Sequence, residues 1–184
     1  MVLEYIIITV YTISLVLILL YAIAQLNLLI NYLKAQKRKE NIPTLDLSDI
    51  NKVPYVTIQL PVYNELYVME RLLSNIAKLD YPHERLEIQV LDDSTDESVE
   101  STAEQIKELQ KTGLDIQHIR RENRQGFKAG ALKEGLITAK GEFIAIFDAD
   151  FLPKENWLLE TVPYFKNPEI GVVQTRWGHI NRNY

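Results

Sequence analysis

The residues of this chain that could do chemistry stand in short charged clusters, each at the end of an apolar run. Residues 142–147, Glu-Phe-Ile-Ala-Ile-Phe, stop abruptly at Asp148-Ala-Asp150. If the backbone stays extended there, the period-two alternation of strand side chains projects Asp148 and Asp150 from the same side. Such a carboxylate pair suits a hard divalent cation, Mg²⁺ or Mn²⁺, and Mg²⁺ completes its shell with water and substrate phosphates. A second acidic pair, Asp92-Asp93, ends the run 86–91. Adjacent carboxylates repel unless water, a cation or a hydrogen-bond donor intervenes, and a ligand N–H would be such a donor. Lys128 falls in the first turn of an expected helix, where the helix dipole disfavours a cation, so an anion is one candidate partner. Tyr63-Asn-Glu65 closes the first strand-like run. Each cluster also has an ordinary reading. Asp is a good strand-ending turn residue, Ser94-x-x-Glu97 matches a capping box, Lys128 can be a solvated lysine, and Tyr63 to Glu65 can be a capped strand-to-helix turn.

The elements that must position these clusters follow from periodicity. Residues 55–60, rich in β-branched and aromatic types and closed by Pro61, read as a strand ending at Val62; 86–91, 115–120, 142–147 and 170–174 read as four more. Apolar residues at Leu66, Met69, Leu72, Leu73 and Ile76 have helical spacing, which predicts a helix over 66–78. Further helices are expected from the capping box to Lys111, from the Lys128 region to Thr138, and from Pro153 through Trp157 to about Tyr164. Strands alternating with helices predict an α/β fold with a mostly parallel sheet, helices on both faces, and ligands at the carboxyl ends of the strands. Every charged cluster lies at such an end, a convergence that the separate ordinary readings do not explain. Neither G-x-x-x-x-G-K-[ST] nor G-x-G-x-x-G is present, and His83, His118 and His179 show no metal spacing, which leaves them as structural or surface residues.

The chain has 184 residues, a net charge of −5 and no cysteine. That length fits one ordinary domain; the acidity argues against a nucleic-acid partner, and the lack of cysteine excludes a disulfide framework and thiolate metal sites. Residues 5–33 carry no charge and are long enough to cross a bilayer as a tilted helix. Lys34, Lys37, Arg38 and Lys39 follow at once, so the positive-inside rule puts the remainder in the cytoplasm. A cleaved signal peptide fits less well: no basic region precedes the run, and the run continues past Ala24. The expected organisation is a transmembrane helix over 1–33, a juxtamembrane linker over 34–52 with one helical turn, and a folded domain over 53–184.

Taken together, Pro61-Val-Tyr-Asn-Glu65, Val90-Leu-Asp-Asp-Ser-Thr-Asp96, Lys128-Ala-Gly-Ala131 and Phe147-Asp-Ala-Asp150 resemble the membrane-bound family 2 glycosyltransferases, in particular the cellulose synthase-like proteins that include glucomannan synthases. The resemblance runs from about Val53 to the end of the sequence. It implies a GT-A fold and an inverting transfer from a nucleotide-sugar donor, of UDP-glucose or GDP-mannose type, to a growing glycan acceptor at the lipid bilayer. It further implies that Tyr63, Glu65, Asp92, Asp93, Lys128 and Asp148 contact the donor, and that Asp148 and Asp150 form a D-x-D metal motif with Asp150 the direct ligand. The family's catalytic base belongs to a motif expected beyond Tyr184. Gln174-Thr-Arg-Trp177 is one residue short of the family's Gln-x-x-Arg-Trp and reads as strand and turn. The chain is therefore expected to be a fragment that holds the donor half of the site and transfers no sugar alone. Two other classes compete. A membrane-tethered, Mg²⁺-dependent receiver-like phosphotransfer domain would need its paired acids at the end of the first strand, and a non-catalytic interaction protein would use mainly its membrane helix.

Overall fold

The computed structural model describes residues 2–36, 43–176 and 178. The chain divides into two compact units, 1–41 and 42–184.

The first unit is one helix, α1 (Val2–Gln36), with no buried residue. It is long and apolar enough to cross a membrane, and at 1.5 Å per residue its 35 residues reach about 50 Å. Its serine and threonine hydroxyls are satisfied internally: Thr9, Thr12 and Ser14 donate to the carbonyls of Tyr5, Ile8 and Val10, one turn back. A helix apolar on every side has no polar face to offer water. Lys37, Arg38 and Lys39 lie outside the described residues.

The second unit is built on a parallel four-stranded sheet in the order β3-β2-β1-β4, where β1 is Val56–Val62, β2 Leu86–Asp92, β3 Asp115–Arg120 and β4 Phe143–Ile146. Helices α2 (Met69–Ile76), α3 (Ser98–Lys111) and α4 (Phe127–Thr138) follow the first three strands in turn. The expected βαβ alternation is thus present. In register, Val56, Ile58 and Leu60 of β1 lie beside Leu86, Ile88 and Val90 of β2, and all six are buried in one apolar core. Met69, Leu72, Leu73 and Ile76 of α2 join that core because their helical spacing gives one apolar face. Burying each such side chain is worth about 1.5–3 kcal/mol against leaving it in water.

The opposite face is polar where α4 covers it. Thr57 and Gln59 pair in register with Glu87 and Gln89, and all four are buried. Glu87 accepts from the Thr57 hydroxyl at 2.7 Å, from Gln117 at 3.0 Å and from the Lys140 backbone at 2.9 Å. Gln59 donates to Gln89, which donates to Thr138 at the end of α4. Gly135 lets α4 come this close: a Cβ there would lie 2.6 Å from Gln59 Nε2 and 2.8 Å from Gln89 Oε1. The hydrophobic periodicity carries no sign of this layer.

Several boundaries differ from the sequence expectation. Helix α2 starts at Met69 rather than Leu66, because 66–68 complete the turn leaving β1. The Ser94–Glu97 capping box does not form. Glu97 takes the N-cap position without a side-chain cap, Asp96 before it accepts from the Ser98 N–H at 3.1 Å and the Ser98 hydroxyl, and Ser94 is drawn away to accept from the Asn64 N–H at 2.8 Å. The helix expected from Pro153 is only α5 (Trp157–Thr161), continued by a 3₁₀ turn over Val162–Lys166. Residues 170–176 are irregular, so no fifth strand forms over 170–174. Val172 is 83% exposed there: a β-branched run needs a ladder partner as well as propensity, and this one has none in the described sheet. Of the linker, Ile50–Lys52 forms a single 3₁₀ turn.

Candidate functional site

The carboxyl ends of β1, β2 and β4 and the start of α4 surround a cleft of about 420 Å³. Tyr63, Glu65, Asp93, Arg124, Lys128, Asp148 and Asp150 supply its polar wall; Pro61, Leu91 and Ala131 are among its apolar residues. Six of the seven residues picked from sequence therefore meet in one place.

Asp92 is the exception. Leu91 lines the cleft, so the period-two alternation of β2 sends Asp92 to the other face of the sheet. There its carboxylate, 2% exposed, takes the Ser94 N–H at 2.8 Å on Oδ1 and the His118 ring at 2.7 Å on Oδ2. Burial alone would raise its pKa, but the hydrogen bonds from His118 and Ser94, with the charge of His118, hold it below the usual aspartate value. A direct donor contact is thus not what this geometry offers for Asp92. His118, read from sequence as a structural or surface residue, is what holds that carboxylate. His83 lies in a short 3₁₀ turn, and His179 and Trp177 lie outside the described residues.

Asp148 and Asp150 reach the cleft by a different route from the one the alternation argument supposed. Strand β4 ends at Ile146, and the chain then turns, with the Phe151 N–H bonded to the Asp148 carbonyl at 3.0 Å. A turn brings both side chains to the cleft while burying Ala149 between them. Among the described residues no group of three or more His, Cys, Asp or Glu side chains is assembled for a metal. Two carboxylates remain, half-buried at Asp148 and exposed at Asp150. Hard oxygen donors with open space beside them fit a Mg²⁺ or Mn²⁺ ion that takes its other ligands from water and phosphate.

Lys128 donates to the Asp148 carboxylate, and the two side chains are 51% and 45% exposed. This is why a lysine stands in the first turn of α4 against the helix dipole: its partner lies across the cleft. The loop that delivers it is tightly tied. Gly126 and Phe127 both have positive φ, 75° and 47°, and the Gly130 N–H closes on the Gly126 carbonyl at 2.9 Å. Gly130 admits the loop, since a Cβ there would fall 2.0 Å from the Gln125 carbonyl oxygen.

Sequence reasoning missed three residues. Asn64, in the left-handed region at φ 56°, bridges the β1 and β2 loops by accepting from the Thr95 N–H at 3.0 Å. Arg121 clamps Asp93 with Nε and Nη2, and donates to the Gln125 and Phe127 carbonyls at 2.9 and 3.1 Å. Its pKa is raised by the hydrogen bond to Asp93. Arg124 lays its guanidinium over the Tyr63 ring, 3.3 Å from the centroid. The surplus of arginines in 120–124 was the available signal, and nothing local says which of them folds inward.

Comparison with known proteins gives a consistent picture. A sequence model described as glycosyl transferase family 2 matches residues 57–184. The glucomannan 4-beta-mannosyltransferase 1 of Cyamopsis tetragonoloba is 40% identical over 169 residues, which cover 87% of this chain and 32% of that protein. The probable glucomannan 4-beta-mannosyltransferase 7 of Oryza sativa subsp. japonica is 44% identical over 133 residues, covering 70% of this chain and 23% of that one. This chain thus spans 23% to 32% of the length of these relatives. Among solved structures, a mannosyltransferase, PcManGT from Pyrobaculum calidifontis, in complex with GDP-Man and Mn²⁺, superposes with a TM-score of 0.62 at 33% identity, covering 78% of this chain and 41% of that one.

Proposed function

The chain belongs to glycosyl transferase family 2, with a GT-A-type fold of the cellulose synthase-like kind, and from that footing we propose that its cleft binds a nucleotide-sugar donor, GDP-mannose foremost, for an inverting transfer that extends a β-linked glycan at a membrane. The observation that carries this reading is the meeting of two carboxylates, a lysine and an arginine-tyrosine pair at the carboxyl edge of one parallel sheet. Family membership sets aside the receiver-like phosphotransfer reading, and it weighs against a purely non-catalytic role.

Asp148 and Asp150 would hold the divalent cation, which when bound neutralises charge gathering on the leaving diphosphate. Lys128, already within reach of Asp148, would turn its ammonium to a diphosphate oxygen. Tyr63, Glu65 and Asp93 would hold the nucleoside portion; Asp92 acts from below by fixing the Ser94 turn. In the transfer itself an acceptor hydroxyl attacks the anomeric carbon on the face opposite the diphosphate. The new glycosidic bond forms as the sugar–phosphate bond breaks, configuration inverts, and the hydroxyl proton passes to a carboxylate base. The mannosyl relatives and the GDP-Man bound to the solved neighbour favour a guanosine donor over UDP-glucose. Helix α1 would anchor the domain, with the basic run after it on the cytoplasmic side.

Calorimetric titration of the full chain in detergent micelles with GDP and UDP, with and without Mn²⁺, tests the site. Mn²⁺-dependent GDP binding that is lost in Asp150→Ala is expected. A folded chain that binds neither nucleotide would refute the assignment.

A further inference from the structure

The cleft has two ends of different character. One, at β4 and the start of α4, holds Asp148, Asp150 and Lys128; the other, at the β1 and β2 ends, holds Tyr63, Asp93 and Arg124, with Arg121 behind Asp93. A nucleotide-sugar is divided in the same way, into a metal-bridged diphosphate and a nucleobase. If the first end takes the diphosphate, as the donor-site reading requires, the second faces the base.

The two arginines at that second end are in contrasting states. Arg121 spends its donors within the protein, on both oxygens of Asp93 and on the carbonyls of Gln125 and Phe127. Arg124 spends none. Its guanidinium is held flat by the Tyr63 ring at 3.3 Å and lies 5.4 Å from the Phe127 centroid, and its Nε is 3.8 Å from Asp93 Oδ2, beyond hydrogen-bond distance. The Arg124 side chain is 38% exposed and lines the cleft. A planar fork of donors is thus oriented by stacking, and among the described residues no acceptor is hydrogen-bonded to it.

We infer that Arg124 is the specificity-determining residue of the site: its guanidinium reads the nucleobase and favours guanine over uracil. Guanine offers O6 and N7 as neighbouring acceptors on one edge, matching two parallel N–H donors of a guanidinium. Uracil has no such pair, because its two carbonyls are separated by an N–H donor. Tyr63 acts behind Arg124 as the surface that keeps the fork planar to the cleft, so it is a positioning residue in this step.

The test measures binding of GDP, UDP and inorganic pyrophosphate, each with Mn²⁺, to the full chain in detergent micelles, for the wild type, Arg124→Lys and Arg124→Met. Lysine keeps the charge but loses the plane and the fork. The wild type should prefer GDP to UDP by about tenfold or more, and Arg124→Lys should weaken GDP by about tenfold to a hundredfold. In both variants the GDP:UDP ratio should fall towards one, while pyrophosphate affinity, which also reports that the site is folded, stays within about twofold of wild type. An unchanged GDP:UDP ratio in the variants overturns the inference and leaves the donor site standing. So does pyrophosphate affinity that falls in step with GDP, since that makes Arg124 a phosphate ligand. A wild-type chain that binds none of the three ligands overturns the donor-site reading and this inference together.

Discussion

Replacing Lys128 by Gln should move metal and nucleotide affinity in opposite directions. The Lys128 ammonium occupies the Asp148 carboxylate, so a divalent cation arriving without nucleotide must displace it. Both side chains are about half exposed, at 51% and 45%. A pair this open to solvent is worth at most about 1 kcal/mol, so removing the ammonium should tighten nucleotide-free Mn²⁺ binding by no more than about fivefold. With the diphosphate present the balance reverses, because Lys128 then supplies a charge-assisted hydrogen bond worth about 1.5–3 kcal/mol, and its loss should weaken Mn²⁺-GDP binding by about tenfold to a hundredfold. Gln has nearly the reach of Lys and keeps N–H donors, which isolates the charge. The free-Mn²⁺ signal in electron paramagnetic resonance reads the first quantity and calorimetry the second, both on the full chain in micelles. Mn²⁺ affinity that falls in Lys128→Gln, or GDP affinity that does not change, would refute the exchange of partners.

Three further outcomes follow from other parts of the chain. Glu87→Ala removes the acceptor of the Thr57 hydroxyl, the Gln117 amide and the Lys140 N–H from a fully buried position, so at about 1–3 kcal/mol per orphaned donor it should cost at least about 3 kcal/mol. Thermal melting followed by circular dichroism measures this, and a melt equal to wild type would contradict it. His118→Phe removes the partner that keeps the Asp92 pKa low. A depressed carboxylate pKa contributes stability above the unfolded value, near 3.8, and that contribution disappears as pH falls through the folded value. The variant should therefore melt lower than wild type above that pH, with the gap closing in stronger acid; a constant gap would exclude the linkage. Finally, α1 followed by basic residues should leave the domain cytoplasmic, so trypsin should digest residues after 42 in inside-out vesicles and spare them in right-side-out ones.

The fold class was legible because its determinants are local. Five or six residues suffice to show a strand such as Asp115–Arg120, which forms with the expected bounds, and the apolar stripe of Leu72, Leu73 and Ile76 identifies α2 even though its start lies later. The clusters at Tyr63, Asp93, Lys128 and Asp148 were legible for the same reason, since a parallel βαβ order alone brings strand ends to one edge. Residues 170–174 mark where local signals stop: their β-branched composition is real, yet strand formation depends on a neighbour that no local window contains. The Ser94 capping box is the parallel case, in which a competing partner, Asn64, comes from thirty residues away.

The sequence by itself determined the apolar helix, the α/β alternation, and which residue types stand at the strand ends, since all three are properties of neighbours along the chain. Only the tertiary structure decided that Asp92 turns from the cleft to His118 while Asp93 stays, that Arg121 is consumed in a clamp while Arg124 stacks on Tyr63 without a hydrogen bond to any described residue, and that a buried polar layer lies under α4. Those choices depend on which groups meet across the sheet, and the free energy of a hydrogen bond or an ion pair is set by the partner and its burial, neither of which is written into the residue alone.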